Sequence, residues 1–321
     1  MLISYCRGSE MDMKISMVGG IIAAASSKLA QPMLKIGSIS IIKRIVISFR
    51  QAGIFPIVIV TGFQEEEIKY QLSGYGAIFI HNDSYEEPPL IDSVKIGLSY
   101  LKDKCQKAVF APVNVPMFSP ETLRLMLEEE GDIVTPSYKG KGGHPIMIAS
   151  EAFSEIIEYR GENGLRGAVK SMGLRRKWLE VDDEGILYSV HNHDDLNKHL
   201  EDHNKSILHP FIQITLEKET SFFNSRLKLL LFLIYDTKYV RRACDQMALS
   251  YGKAWDMLNK LEKEVGYPVV LRRHGGKSGG RTDLTEQGFE LLRAYQEFEN
   301  NVFKYSQGEF QKIFIKKGLI E

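Results

Sequence analysis

Short apolar runs recur through the first two hundred or so residues, each bounded by polar or glycine-containing stretches and separated by segments of helical period. "KISMVGGIIAAASS" reads as a buried strand running into a small-residue turn, and "SIIKRIVISFRQAG" as the helix after it. "PIVIVTG", "AIFIHN", "KAVFAPVNVP" and "DIVTPSY" read as further strands, with "EEEIKYQL", "LIDSVKIGLSYL" and "SPETLRLMLEEEG" as helices between them. This alternation predicts an α/β fold, a Rossmann-like, mainly parallel sheet with helices on both faces. Ligands bind such sheets outside the carboxyl ends of the strands. That gathers "AAASSK", "TG", "HND" and "PVNVP" around one crevice.

From Arg226 the pattern turns helical. "RLKLLLFLIYDTKYV" is a strongly apolar helix and "RRACDQMA" a short second one. "LSYGKAWDMLNKLEKEVG" opens on a cap at Ser250 and ends at Gly266, with Ala254, Met257, Leu258 and Leu261 along its apolar face. "YPVVLRR" is strand-like, "HGGKSGGR" a loop, and "TDLTEQGFELLRAYQEFENNVFKY" a long helix beginning near Thr285 and Glu286. A Gly-rich basic loop can cradle phosphates, link domains or lie along DNA. Three helices, a hairpin wing and a closing helix select the last, as a winged helix-turn-helix. Arg272, Arg273, Lys277 and Arg281 then supply phosphate contacts, while Tyr251 and Lys253, on the outward-facing first turn that Ser250 opens at the DNA surface, face base edges.

Composition narrows this picture. The 321 residues suffice for two domains, expected at 13–204 and 205–321. Hydrophobic content of 44% and charged content of 26% are those of a soluble globular protein. No apolar run reaches membrane-spanning length, and no signal peptide is expected in "MLISYCRGSEMDMK". Cys6, Cys105 and Cys244 stand apart without metal spacing, so a cytoplasmic chain with reduced thiols is expected. Net zero charge conceals an asymmetry: residues 1–204 carry 22 Lys+Arg against 27 Asp+Glu, and residues 205–321 carry 19 against 14. The C-terminal half therefore has the sign that suits an anionic partner.

The C-terminal stretch "SYGKAWDMLNKLEKEVGYPVVLRRHGGKSGGRTDLTEQGFELL" resembles the DNA-binding domain of the molybdate-responsive regulators of ModE type, over roughly residues 211–310. The resemblance implies DNA as partner and a homodimer built through the helix "GFELLRAYQEFENNVF". The family's molybdate-binding modules have no counterpart before Glu321, so no sensing through them is expected.

In the N-terminal half, "IAAASSK", "VNVP", "GGHPIMIASEAF", "GENGLRGAV" and "SVHNHDDL" follow one another in the order of the MobA-like nucleotidyltransferases of molybdenum-cofactor synthesis, which join CMP or GMP to molybdopterin. The resemblance covers roughly residues 14–200. It implies a nucleotide or molybdopterin site at Ala23, Ala24, Ala25, Ser27, Lys28, Asn82, Asn114, Gly143, His144, Pro145 and Arg166. A working site of this kind uses Mg²⁺, with Asn114 and His191 at the positions of its metal ligands. The departures fall on the chemical positions. Ala25 replaces a phosphate-loop glycine, the loop's Arg and Lys have no counterparts in register, and Asn114 replaces a metal-binding Asp. Two functions stay open: a DNA-binding regulator carrying a catalytically degenerate, ligand-binding domain, and an active transferase whose winged helix tunes its own expression. "HNHDDLNKHLEDH" holds four histidines in thirteen residues, but no further ligand accompanies them to make a structural zinc site.

Overall fold

β-Branched runs become strands, and the sheet they build decides where every candidate residue lies. The computed structural model describes residues 17–25, 32–84, 89–171, 173–190, 199–273 and 280–320. It divides into two compact units, Met1–Leu208 and His209–Glu321.

In the first unit, β1 (Val18–Ala23) is followed by a small hairpin, β2 (Lys35–Ile36) and β3 (Ile39–Ser40), and then by helix α1 (Ile41–Gln51). Next come β4 (Ile57–Thr61), α2 (Glu65–Leu72), β5 (Ala77–His81), α3 (Leu90–Leu101), β6 (Lys107–Pro112), α4 (Pro120–Glu128) and β7 (Ile133–Tyr138). The chain continues through β8 (Lys141–Gly142), β9 (Ile146–Ala149), α5 (Phe153–Glu158), α6 (Gly164–Ser171), β10 (Arg176–Glu180) and α7 (Leu200–Ser206). The sheet order is β10-β7-β9-β6-β1-β4-β5, with β8 paired to β7. Pairings are parallel except those of β8 and β9. The central strands are apolar throughout because both faces are covered.

β9 and β10 were not marked by periodicity. β9 is only four residues long. β10 is a mostly exposed edge strand of mixed charge, "RKWLE", with no apolar alternation to read.

α1 begins at the Ser40 cap, whose hydroxyl accepts from Lys43 N, and buries Ile41, Ile42, Ile45, Val46 and Phe49. Arg44 on the same helix is buried too. Its guanidinium donates to Ile36 O at 3.2 and 2.6 Å and to Asn204 Oδ1 at 2.9 Å, and Nη1 lies 3.1 Å from His203 Nδ1. Gln51 donates to Ile207 O at 2.6 Å. These bonds tie α7 to α1, so the boundary expected after residue 204 falls inside a helix that belongs to the first unit.

The second unit opens on a hairpin, β11 (Thr215–Glu217) and β12 (Ser221–Asn224). β12 went unread because among its four residues only Phe223 is fully buried. Asn224 caps α8 (Ser225–Thr237) by accepting from Arg226 N and Leu227 N. α9 (Val240–Gln246) and α10 (Tyr251–Val265) follow, and Gly266 closes α10 in the left-handed conformation at φ 83°. β13 (Val270–Arg272) and β14 (Thr282–Leu284) pair antiparallel, and α11 (Glu286–Phe310) starts from the Thr285 cap. This is the element order of a winged helix-turn-helix. Among the described residues no helix is long and apolar enough to cross a membrane.

Candidate functional site

The carboxyl edge of the sheet brings together the crevice residues expected from the chain. Ala24 N donates to Val60 O at 2.9 Å, Val113 N to Ala23 O at 3.1 Å and Asn82 N to Thr61 O at 2.8 Å. Ala23, Ala24, Ala25, Asn82 and Asn114 thus sit where β1, β5 and β6 end. Ser27, Lys28 and His191 lie outside the described residues.

Ala25 differs from its expectation. A methyl group facing phosphates would be exposed, yet Ala25 is buried in the apolar cluster with Ala23, Val60 and Phe110. The chain turns there with its backbone committed, Ala25 O accepting from Phe63 N at 3.0 Å. The side chain is packing, not an obstruction.

Two amides at this edge are unmatched. Asn82, 5% exposed, accepts from Ser84 N through Oδ1 at 3.1 Å, and its buried Nδ2 has no partner among the described residues. Asn114 donates from Nδ2 to Ser189 Oγ at 3.2 Å, and its buried Oδ1 has no partner among the described residues. The Ser84 N–H fixes the Asn82 amide, whereas the Asn114 amide can turn because the Ser189 hydroxyl both donates and accepts. In either orientation of Asn114 one of its polar atoms has no bond among the described residues. Mg²⁺ favours anionic oxygen ligands, and Asn114 supplies none. Among the described residues no group of three His, Cys, Asp or Glu could hold a metal. Asp183 is spent on structure, accepting from Ser119 N, Thr122 Oγ1 and Gly185 N. Among the described residues the donor set supplies no carboxylate-rich cage for Mg²⁺.

Gly143, His144 and Pro145 enter β9 beside this edge. A Cβ on Gly143 would stand 2.4 Å from Ile186 O, so only glycine permits that approach. His144 N donates to Ile186 O at 3.0 Å, and the His144–Pro145 bond is cis. The imidazole stands edge-on to Phe110 with ring centres 6.0 Å apart, and its buried Nδ1 has no partner among the described residues. Burial, reinforced by the charge of Arg176, pushes its pKa down to about 4, so the ring is neutral near pH 7. Arg166 lies exposed on α6. Arg176, which no sequence pattern singled out, is the one cation of "RRK" whose strand face turns it toward this corner. A separate cavity of about 300 Å³, lined by Met117, Ser119, Asp183, Tyr188, His199 and His203 among others, played no part in the sequence reading.

In the second unit Ser250 caps α10, accepting from Lys253 N at 3.4 Å. Ser250, Tyr251 and Lys253 are all exposed on its first turn. Tyr251 is edge-on to Trp255 at 6.1 Å, and Arg241 of α9 lies 5.7 Å over the Tyr251 ring. Arg241 was missed because nothing in "RRACDQMA" shows which of its cations meets the next helix. The wing cations are less free than expected. Arg272 lies 4.6 Å over Trp255 and donates to Asn259 and Glu262, and Arg281 pairs with Asp283, which also meets Lys238. Arg273 is exposed, its backbone N–H donating to Arg281 O at 2.9 Å, and Lys277 lies outside the described residues.

Residues 23–177 match the MobA-like NTP transferase domain. Other regions are similar to curated proteins of the ModE and MopB kind. The molybdenum-pterin-binding protein MopB of Rhodobacter capsulatus is 33% identical over 91 residues, 28% of this chain and 34% of that protein. The transcriptional regulator ModE of Haemophilus influenzae is 37% identical over 60 residues, 19% of this chain and 24% of that protein. The chain thus spans about a third or less of these relatives' length. A nucleotidyl transferase of Methanothermobacter shares the fold, with a TM-score of 0.51 and 18% identity over 59% of this chain and 99% of that one.

Proposed function

From a chain that joins a MobA-like NTP transferase domain to regions similar to ModE and MopB, we propose a DNA-binding regulator of molybdenum-related genes whose first unit binds its effector without transforming it. The observation that carries this is Asn114: a neutral amide whose buried Oδ1 has no hydrogen bond among the described residues, where no group of three His, Cys, Asp or Glu gathers to hold a metal. Asn82, Asn114 and the neutral His144 present hydrogen-bonding atoms suited to the polar edge of a nucleotide or of molybdopterin. The phosphate-bearing end would meet Arg166. Ala23, Ala24 and Ala25 line the same edge, and Ser27 and Lys28 belong to the proposed site by resemblance.

In the second unit Tyr251 and Lys253 are the groups for base edges, flanked by Arg241, while Ser250 sets the helix start. Arg272, Arg273, Lys277 and Arg281 serve the phosphate backbone. A homodimer through α11, which exposes Phe298 and Tyr305, would present two such surfaces to a palindromic site. The cytoplasm is the compartment in which such a regulator works.

The intact Gly143–Pro145 loop favours a second reading, an active transferase joining CMP or GMP to molybdopterin with Mg²⁺. Incubation with CTP or GTP, molybdopterin and Mg²⁺ separates the two. Binding without pyrophosphate release is expected, and release above background establishes the transferase. For DNA, replacing Tyr251 and Lys253 by Ala should erase preference between operator and random duplex while general affinity falls less. An equal fall for both duplexes rejects base reading by these residues.

A further inference from the structure

Tyr251, Trp255, Asn259 and Glu262 follow one another at helical spacing, so they fall on one stripe of α10, the helix whose first turn carries the candidates for base edges. Glu262 is out of keeping there. It puts an acid in the last turn, at the negative end of the helix dipole, in the unit read as meeting a polyanion. Its bonds account for it. Oε1 accepts from Val269 N at 2.8 Å and from Val270 N at 3.0 Å, and Oε2 accepts from Arg272 Nη2 at 2.9 Å. Both oxygens of one carboxylate therefore tie β13, the first strand of the wing, to the third helix.

Arg272 is held at three points. Its Nη2 also donates to Asn259 Oδ1 at 2.8 Å, and the guanidinium lies 4.6 Å over the Trp255 ring. Nε and Nη1 carry no bond among the described residues, and the side chain is 45% exposed. A planar cation with one nitrogen shared by two acceptors and one face on an indole has lost most of its freedom. It presents its remaining N–H groups in one direction. At the other end of the stripe Arg241 lies over Tyr251, which is itself edge-on to Trp255. The two arginines bracket the aromatic pair.

We propose that Glu262 is a positioning residue for DNA: it holds the wing against the third helix and aims Arg272, so that the free edge of the guanidinium meets a backbone phosphate. The role deepens the reading of the second unit as DNA-binding and rests on it. Affinity gains because Arg272 is already ordered before DNA arrives. Repulsion between Glu262 and the phosphates is the smaller effect, since its charge is matched by the Arg272 cation beside it.

The test uses the full chain and a mixed-sequence duplex, because a phosphate contact forms on any sequence. Affinity is measured over a series of salt concentrations. Glu262→Gln keeps an oxygen for the Val269 and Val270 N–H groups but turns an amide N–H toward Arg272, so the anchor stays and the aim is lost. Although it deletes a negative charge, it should weaken binding about fivefold and reduce the salt slope by about one unit. Glu264→Gln deletes the same charge on the same helix but faces Lys218, and should leave binding level or strengthen it. Arg272→Ala should weaken binding as Glu262→Gln does, and combining the two should cost nothing further. Asn259→Ala loosens Arg272 while the wing's backbone bonds to Glu262 stay in place. It should weaken binding at an unchanged melting temperature, which keeps the aim readable if Glu262→Gln lowers stability. Tighter binding by Glu262→Gln, additive losses in the pair, or unchanged binding by Asn259→Ala would overturn the positioning role while leaving the DNA reading intact. A wild-type chain that binds no duplex rejects the DNA reading, and the role with it.

Discussion

Asn114 and Ala25 occupy neighbouring strand ends, and the structure separates their consequences. Asn114→Asp places a carboxylate at the crevice edge, so nucleotide affinity should rise about tenfold in a Mg²⁺-dependent way, roughly 1.4 kcal/mol. A nucleotide-induced rise in melting temperature reads it, and a rise that ignores Mg²⁺ would discard the metal explanation. Ala25→Gly should give no such gain. Its methyl is buried in the core, so the change removes packing and adds backbone freedom, lowering stability by about 1 kcal/mol. Both results bear on whether one atom or the whole lining sets what this crevice binds.

Two buried histidines make the first unit sensitive to acid. His203 has its pKa pushed to about 4 by burial and by the Arg44 charge, and His144 falls to about 4 through burial and Arg176. Both pKa values are lowered on folding, so the unfolded chain takes up protons first. The stability they contribute is complete above about pH 6.5 and is lost as pH falls toward 4. Melting temperature should drop across that window, and His203→Gln should flatten the drop. An unaltered slope in that variant would mean the ring is reached by water.

At the scale of elements, caps carry more than their single bonds suggest. Ser250→Ala removes the acceptor for Lys253 N and should cost about 1 kcal/mol of second-unit stability. Denaturant unfolding measures it, and because Tyr251 and Lys253 stand on the same turn, operator binding should weaken with it. The caps at Ser250 and Thr285 and the stop at Gly266 were legible in the chain because each is a local bond or a local dihedral. The buried central strands were legible because two covered faces demand uninterrupted apolar runs. β10 and β12 were not, since an edge strand is held by backbone bonds that leave no hydrophobic pattern. Arg176 was hidden for the same reason: its role depends on which face of an unread strand it takes. The inward turn of Ala25 was equally out of reach, being set by contacts with Val60 and Phe110 far along the chain.

For the whole molecule, opposite charge on the two halves predicts how binding responds to salt. Affinity for DNA should fall steeply with ionic strength, since phosphate contacts release counterions. Arg281 already has Asp283 as partner, so Arg281→Ala should change that slope less than Arg273→Ala does. Equal slopes would show that the Asp283 pair opens on binding.

The buried guanidinium of Arg44 carries a last consequence, for where this chain can be divided. Helix α7 behaves as the first unit's own captive ligand: its His203 and Asn204, with Ile36 O, stand where a carboxylate would otherwise be required. A version ending at Lys198 would strand a cation inside the protein and should aggregate or melt early. One ending at Leu208 should fold. Replacing Arg44 by Met in the shorter version should restore much of what the cut removes, because the helix would then be missed only for its packing.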